Sequence, residues 1–127
     1  MTGLTHIEVI QELRGPTRDL RHAIPDVWQA FGELHRSAVA EGAVPSSTKE
    51  LVALAIAVVK HCDGCIAYHA KAAAAKGATE EEVAEVLGVA LLMDGGTASV
   101  YGPRALAAYR EFAGDRSADS SSAGRSG

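Results

Sequence analysis

Cys62 and Cys65, the only cysteines of the chain, form a C-D-G-C pair, with His69 four residues after the second and Glu50 twelve before the first. Two thiols at this spacing can pass two electrons by opening and closing one disulfide. A histidine one helical turn away can manage the accompanying proton. Asp63 and Gly64 are weak helix formers and Asp63 is a good N-cap, so the spacing predicts a break just before or within the motif. Cys65 then falls in the first turn of a new helix, where unpaired backbone N–H groups and the helix dipole favour a thiolate.

The break decides whether Glu50 matters. On one straight helix, Glu50 and Cys65 would stand about 22 Å apart along the axis. If the chain reverses at Cys62-Asp63-Gly64, the two arms run antiparallel. Glu50 then lies about three turns down one arm and His69 about two turns down the other, within reach of each other. The expected relay is Glu50 to His69 to Cys65.

The elements that must position these groups read as helices. An amphipathic segment over Thr5 to Arg14 ends at Gly15-Pro16, and a short turn or helix follows through Asp19, Leu20 and Arg21. Pro25 suits the first position of the next helix, whose apolar face carries Val27, Trp28, Phe31, Leu34 and Val39 and which Gly42 and Pro45 close. Ser47 to Glu50 reads as a capping box launching a helix from Leu51 to about Lys60. In that reading Glu50 is an N3 residue with a structural role of about 1 kcal/mol, which does not exclude a chemical one. A helix from about Cys65 to Lys76 is stopped by Gly77. Thr79 to Glu82 caps another, carrying Val83, Val86, Leu87, Ala90, Leu91 and Met93. After the Asp94-Gly95-Gly96 break, a last helix over Thr97 to Phe112 must accommodate Gly102-Pro103, which should kink or divide it.

No stretch alternates β-branched residues, so the expected fold class is all-α. Length predicts one domain over residues 1–113. From Gly114 the Ser, Gly, Ala and balanced charges lack apolar residues to offset ordering entropy, which predicts a disordered tail over 114–127. Aromatic residues make up only 5% of the chain and alanine supplies much of its apolar content, so a lone protomer should have a thin core and a homo-oligomer is expected. The net charge of −4 argues against nucleic acid as a partner. No segment resembles a signal peptide, and the longest apolar run, Leu51 to Val59, falls short of the roughly 20 residues that span a bilayer. The expected compartment is the cytoplasm, with no membrane partner. There a C-x-x-C pair reads as catalytic or metal-binding. No glycine-rich phosphate loop signals a bound organic cofactor, and none is expected.

The combined spacing of Glu50, Cys62, Cys65 and His69 resembles the signature of the AhpD-like branch of the carboxymuconolactone decarboxylase family. The likeness extends over about Val44 to Phe112. It implies an all-α helical domain, trimers or hexamers, and thiol-dependent reduction of alkyl hydroperoxides. It also implies that Cys65 is the peroxide-reactive thiolate, that Cys62 resolves it as a disulfide, and that Glu50 and His69 assist proton transfer. A dithiol donor, in better-known members a lipoyl-bearing protein, would supply electrons. Those members commonly carry a histidine immediately before the second cysteine, where this chain has Gly64.

Two alternatives stand beside this reading. The dithiol could serve a general disulfide reductase or redox sensor. Cys62 and Cys65 could also be half of a zinc site in a structural oligomer, completed by His69 and His61 or by ligands from another subunit, although no second C-x-x-C or H-x-x-x-H occurs. His6, His22 and His35 share no spacing and read as surface residues. Trp28, Phe31, Tyr68, Tyr101 and Tyr109 sit at core spacing and are expected to pack.

Overall fold

Thr5 starts the first helix: its side chain accepts the Glu8 N–H, and α1 runs from His6 to Ala23. In the computed structural model, which describes residues 3–123, five further helices follow. They are α2 (Pro25–Val39), α3 (Ser46–Val59), α4 (Asp63–Ala75), α5 (Glu80–Asp94) and α6 (Ala98–Ala123), with a one-turn 3-10 helix, Gly95–Thr97, between the last two. Among the described residues there is no strand.

Two helices pass through the prolines expected to end or divide them. α1 continues across Gly15-Pro16, and α6 across Gly102-Pro103. A proline removes one backbone donor and leaves the carbonyl four residues earlier without its partner. Those carbonyls belong to Glu12 and Ser99, both on exposed residues that water can reach. α6 also remains helical past Gly114 to Ala123, into the stretch whose composition predicts a disordered tail; residues 124–127 of that tail lie outside the described residues.

α4 is the hub, packing on α1, α3 and α6, while α5 packs on α3 and α6. Leu54 and Val58 of α3, Ile66 of α4 and Val83 of α5 are completely buried. Around them the core is alanine: Ala67, Ala70 and Ala73 of α4 and Ala105 and Ala108 of α6 have no exposure, and the two helices pack on each other. Small side chains let helix backbones approach closely but bury little area each. The core is thin, as the composition implies.

α2 departs from expectation. It has no buried residue, and Val27, Phe31 and Leu34 of its apolar face are 60–64% exposed. Among the described residues α2 packs chiefly on α1 and α3, and little of that face is covered. The outer side of the α5–α6 pair is also apolar, with Leu92 80% and Met93 77% exposed. By length and composition, Glu80–Gly114 is apolar enough to cross a membrane. It is a folded-back pair of helices packed on each other, however, not one rod.

Candidate active site

The site begins with a chain reversal. α3 ends at Val59, Lys60 is its C-cap, and His61 takes the left-handed conformation at φ 55°. The His61 N–H donates to Val58 O at 3.1 Å and the Cys62 N–H to Ala57 O at 3.1 Å, the two bonds of a Schellman motif. The same motif ends α4, where Gly77 at φ 87° fills the left-handed position. At His61 a side chain replaces glycine, and its ring stacks on Tyr101 with centroids 4.8 Å apart. Its Nε2 lies 3.5 Å from Asp94 Oδ2. The expected hairpin is present, but it turns at Lys60-His61-Cys62, slightly earlier than the motif's Asp-Gly suggests.

α4 then starts at Asp63, and Cys62, not Asp63, is its N-cap. The Cys65 N–H donates to the Cys62 sulfur at 3.2 Å. The Asp63 carboxylate is engaged elsewhere, accepting from Arg104 Nη2 at 2.7 Å and Nε at 3.1 Å. Cys62 and Cys65 form a disulfide with Cα atoms 5.2 Å apart, Cys65 exposed and Cys62 half-buried. Cys65 lies in the first turn, as expected.

Glu50 is not the N3 partner of a capping box. α3 starts earlier, at Ser46, whose N–H is taken by Glu41 Oε1 at 3.1 Å and whose hydroxyl donates to Val39 O. Glu50 therefore sits a full turn inside α3, 1% exposed. Its Oε2 lies 2.8 Å from His69 Nδ1, across the hairpin, and Lys76 Nζ donates to its Oε1 at 3.2 Å. Burial pushes the Glu50 carboxyl up, but the hydrogen bonds from His69 and Lys76 outweigh it and hold the group below the usual glutamate range. An ionised carboxylate can only accept, so Nδ1 of His69 carries the proton and Nε2 of the neutral ring keeps its lone pair. The Glu50-to-His69 link of the expected relay is a direct contact.

Cys62, Cys65 and His69 line one cavity of about 510 Å³. Its other wall is α2: Trp28, Phe31 and His35 face the dithiol, with Tyr68 completing the rim. The aromatic face expected to pack in the core instead shelters the sulfurs. Only Tyr109, buried and donating to Ala78 O at 2.6 Å, and the half-buried Tyr101 are packed as expected.

The histidines are also redistributed. His35 comes within 6.1 Å of the His69 ring, centroid to centroid, and one donor atom each of His35, Glu50 and His69 lies within 4.8 Å of the others. His6 is buried, its Nδ1 3.2 Å from Glu111 Oε2 and its Nε2 3.5 Å from Asp63 Oδ1, so α1, α4 and α6 meet just beneath the motif. His22 and His35 are both exposed as expected, but His35 stands at the cavity beside His69. His61, considered as a fourth zinc ligand, is occupied by Tyr101 and Asp94. Nothing in the spacing of His35, 34 residues before His69, marks it as part of the site. The only signal is its position on the same apolar face as Trp28 and Phe31.

A pH dependence follows from Glu50. Its lowered folded value means that the unfolded chain binds more protons at acidic pH. The stability it contributes is complete above the unfolded value of about 4.3 and is lost as pH falls through the lower folded value. Urea midpoints measured from neutral pH downward should therefore drop below about pH 4 in the native chain. Glu50→Gln should start lower and flatten that drop.

The family model described as the carboxymuconolactone decarboxylase family matches residues 25–113. That match takes in all of α2, which the sequence signature alone did not reach. A protein of Cupriavidus necator is 39% identical over 90 residues, 71% of this chain and 80% of the relative. The protein named uncharacterized protein 4 in the cox locus of Paracoccus denitrificans is 40% identical over 85 residues, covering 67% of this chain and 77% of its own. Among solved structures, a Legionella pneumophila protein described with the same family name superposes with a TM-score of 0.83 at 35% identity, over 85% of this chain and 96% of that one.

Proposed function

Since the chain belongs to the carboxymuconolactone decarboxylase family, we propose that it is a thiol-dependent peroxidase of the AhpD-like branch. Its substrates are alkyl hydroperoxides and its redox couple is Cys62 with Cys65. The single observation that carries this reading is the Glu50–His69 contact, at 2.8 Å, bordering the cavity into which both cysteines open. A dithiol with a carboxylate-oriented imidazole at i+4 has what peroxide cleavage needs: a thiolate, a proton carrier and an apolar recess.

In the reduced chain, the Cys65 thiolate attacks the terminal oxygen of the O–O bond. The alkoxide leaves as the alcohol with a proton delivered through His69, and Cys65 becomes a sulfenic acid. The Cys62 thiol condenses with it, releasing water and forming the Cys62–Cys65 bridge. A separate dithiol, a lipoyl-bearing protein in this reading, returns two electrons and reopens the bridge. Gly64 removes the imidazole common beside the second cysteine, and His35 brings one to the same cavity from α2.

The uncovered apolar faces of α2 and of the α5–α6 pair support assembly as a homotrimer or homohexamer. The cytoplasm, where thiols are kept reduced, suits a catalytic dithiol.

Mixing the pre-reduced protein with cumene hydroperoxide tests the proposal. The expected result is loss of two thiols and formation of one cumyl alcohol per chain, with multiple turnovers once dihydrolipoamide is supplied. Rapid reduction of model disulfides with no hydroperoxide consumed would replace it with a general disulfide reductase.

A further inference from the structure

We propose that the reduced dithiol, together with His35 and His69, forms a binding site for a thiophilic divalent cation, Zn²⁺ foremost, which closing the disulfide abolishes. This rests on the proposed function only in requiring that the Cys62–Cys65 bridge can open.

Four donors line one cavity: the sulfurs of Cys62 and Cys65 from the start of α4, His69 a turn further on, and His35 from α2. Two thiolates at C-x-x-C spacing and two imidazoles are the donor set of a tetrahedral Cys2His2 zinc site. The cavity, about 510 Å³, has ample room for an ion. One ring nitrogen of His35 lies within 4.8 Å of one ring nitrogen of His69, so small side-chain shifts could bring the two imidazoles onto a common ion.

Glu50 supplies the supporting contact. By holding Nδ1 of His69 at 2.8 Å it fixes the ring and leaves Nε2 as the nitrogen with an open lone pair. A carboxylate behind a ligating imidazole orients it and raises its basicity. The second oxygen of Glu50 is taken by Lys76, so the carboxylate serves as an orienting group and not as a ligand. The positive charge of Lys76 is thereby neutralised beside the site.

The site is redox-gated because thiolates bind the ion and a disulfide does not. Binding releases two thiol protons as the ion enters. When a hydroperoxide then takes two electrons from the sulfurs and two protons from solvent, the products are the disulfide, an alcohol, water and the free ion. The cation thus competes with peroxide for the same sulfurs and leaves when they are oxidised.

Anaerobic titration of the reduced, reductant-free chain with Co²⁺, followed by displacement with Zn²⁺, tests this. The reduced chain should bind one Co²⁺ with sulfur-to-cobalt charge-transfer absorption and tetrahedral ligand-field bands, and the disulfide form should show neither. His35→Ala, at an exposed helix position, should weaken binding at least tenfold while still presenting two titratable thiols. Glu50→Gln should weaken it about 10- to 100-fold, and His22→Ala should leave it unchanged. Absence of the sulfur-to-cobalt band in the reduced chain, equal binding by the oxidised chain, or unaltered affinity in His35→Ala would each overturn the proposal. The readout is spectroscopic, so a chain that binds cobalt but turns over no hydroperoxide would sink the peroxidase reading and leave this one standing.

Discussion

Cys65→Ser should lower hydroperoxide consumption to the uncatalysed background, while Cys62→Ser should consume one equivalent and then stall. The two outcomes differ because the two sulfurs sit differently. Cys65 is exposed at the mouth of the cavity, in the first turn of α4 and one turn from His69. Cys62 is half-buried at the N-cap. Under the proposed function a hydroperoxide should reach Cys65 first, with the imidazole at i+4 handing a proton to the departing alkoxide. With Cys62 gone, the sulfenic acid on Cys65 has no resolving thiol and should be trapped by dimedone, which mass spectrometry reads as a single adduct on that residue. The measurement is peroxide consumption with dihydrolipoamide as donor, together with adduct mapping. A first turnover kept by Cys65→Ser and lost by Cys62→Ser would reverse the roles. That reversal has its own rationale, since the N-cap sulfur is the one receiving a backbone N–H.

The second large effect is expected at the carboxylate–imidazole pair. His69→Ala should cost about 10²- to 10⁴-fold in turnover, the usual worth of a positioned acid–base group. Glu50→Gln keeps the volume but removes the charge, so the imidazole loses its fixed tautomer and Lys76 loses its counter-ion. Turnover should fall by about 10²-fold, with the pH–rate profile changing shape as well as height. Glu50→Leu is the harsher change, because it removes the acceptor atoms as well as the charge. Lys76 keeps access to water, so the loss is that of hydrogen bonds to a charged group, about 1.5–3 kcal/mol, and stability should be measured beside rate. Alkylation of Cys65 by iodoacetamide as a function of pH separates chemistry from folding. If neither variant changed turnover or the thiol's titration, the pair would be structural only.

Much of this arrangement was readable in the chain. The signature of Glu50, Cys62, Cys65 and His69 gave the family and the hairpin, and Thr79 with Glu82 form the expected capping box. Gly77 ends α4 in the left-handed position for which glycine is favoured. Helix starts and stops of this kind are local, set by a side chain bonding to backbone a few residues away, and so they are legible.

Where several local solutions compete, packing chooses. Ser47 to Glu50 has the letters of a capping box, yet Glu41 satisfies the Ser46 N–H and frees Glu50 to be buried against His69 and Lys76. Asp63 has the letters of an N-cap, yet Arg104, 41 residues away, claims its carboxylate and leaves Cys62 to cap. His61 fills the same backbone position as Gly77 without being glycine, held by Tyr101 and Asp94 from the other end of the chain.

What the sequence determined by itself is the chemistry at hand: two sulfurs, an imidazole and a carboxylate at spacings that a reversed helix pair can bring together. What only the tertiary structure decided is the room around them. α2 swings its aromatic face and His35 over the dithiol instead of into the core. An amphipathic pattern states that a face wants cover, while the identity of that cover depends on contacts between residues far apart in the chain. The periodicity of one helix carries no information about them.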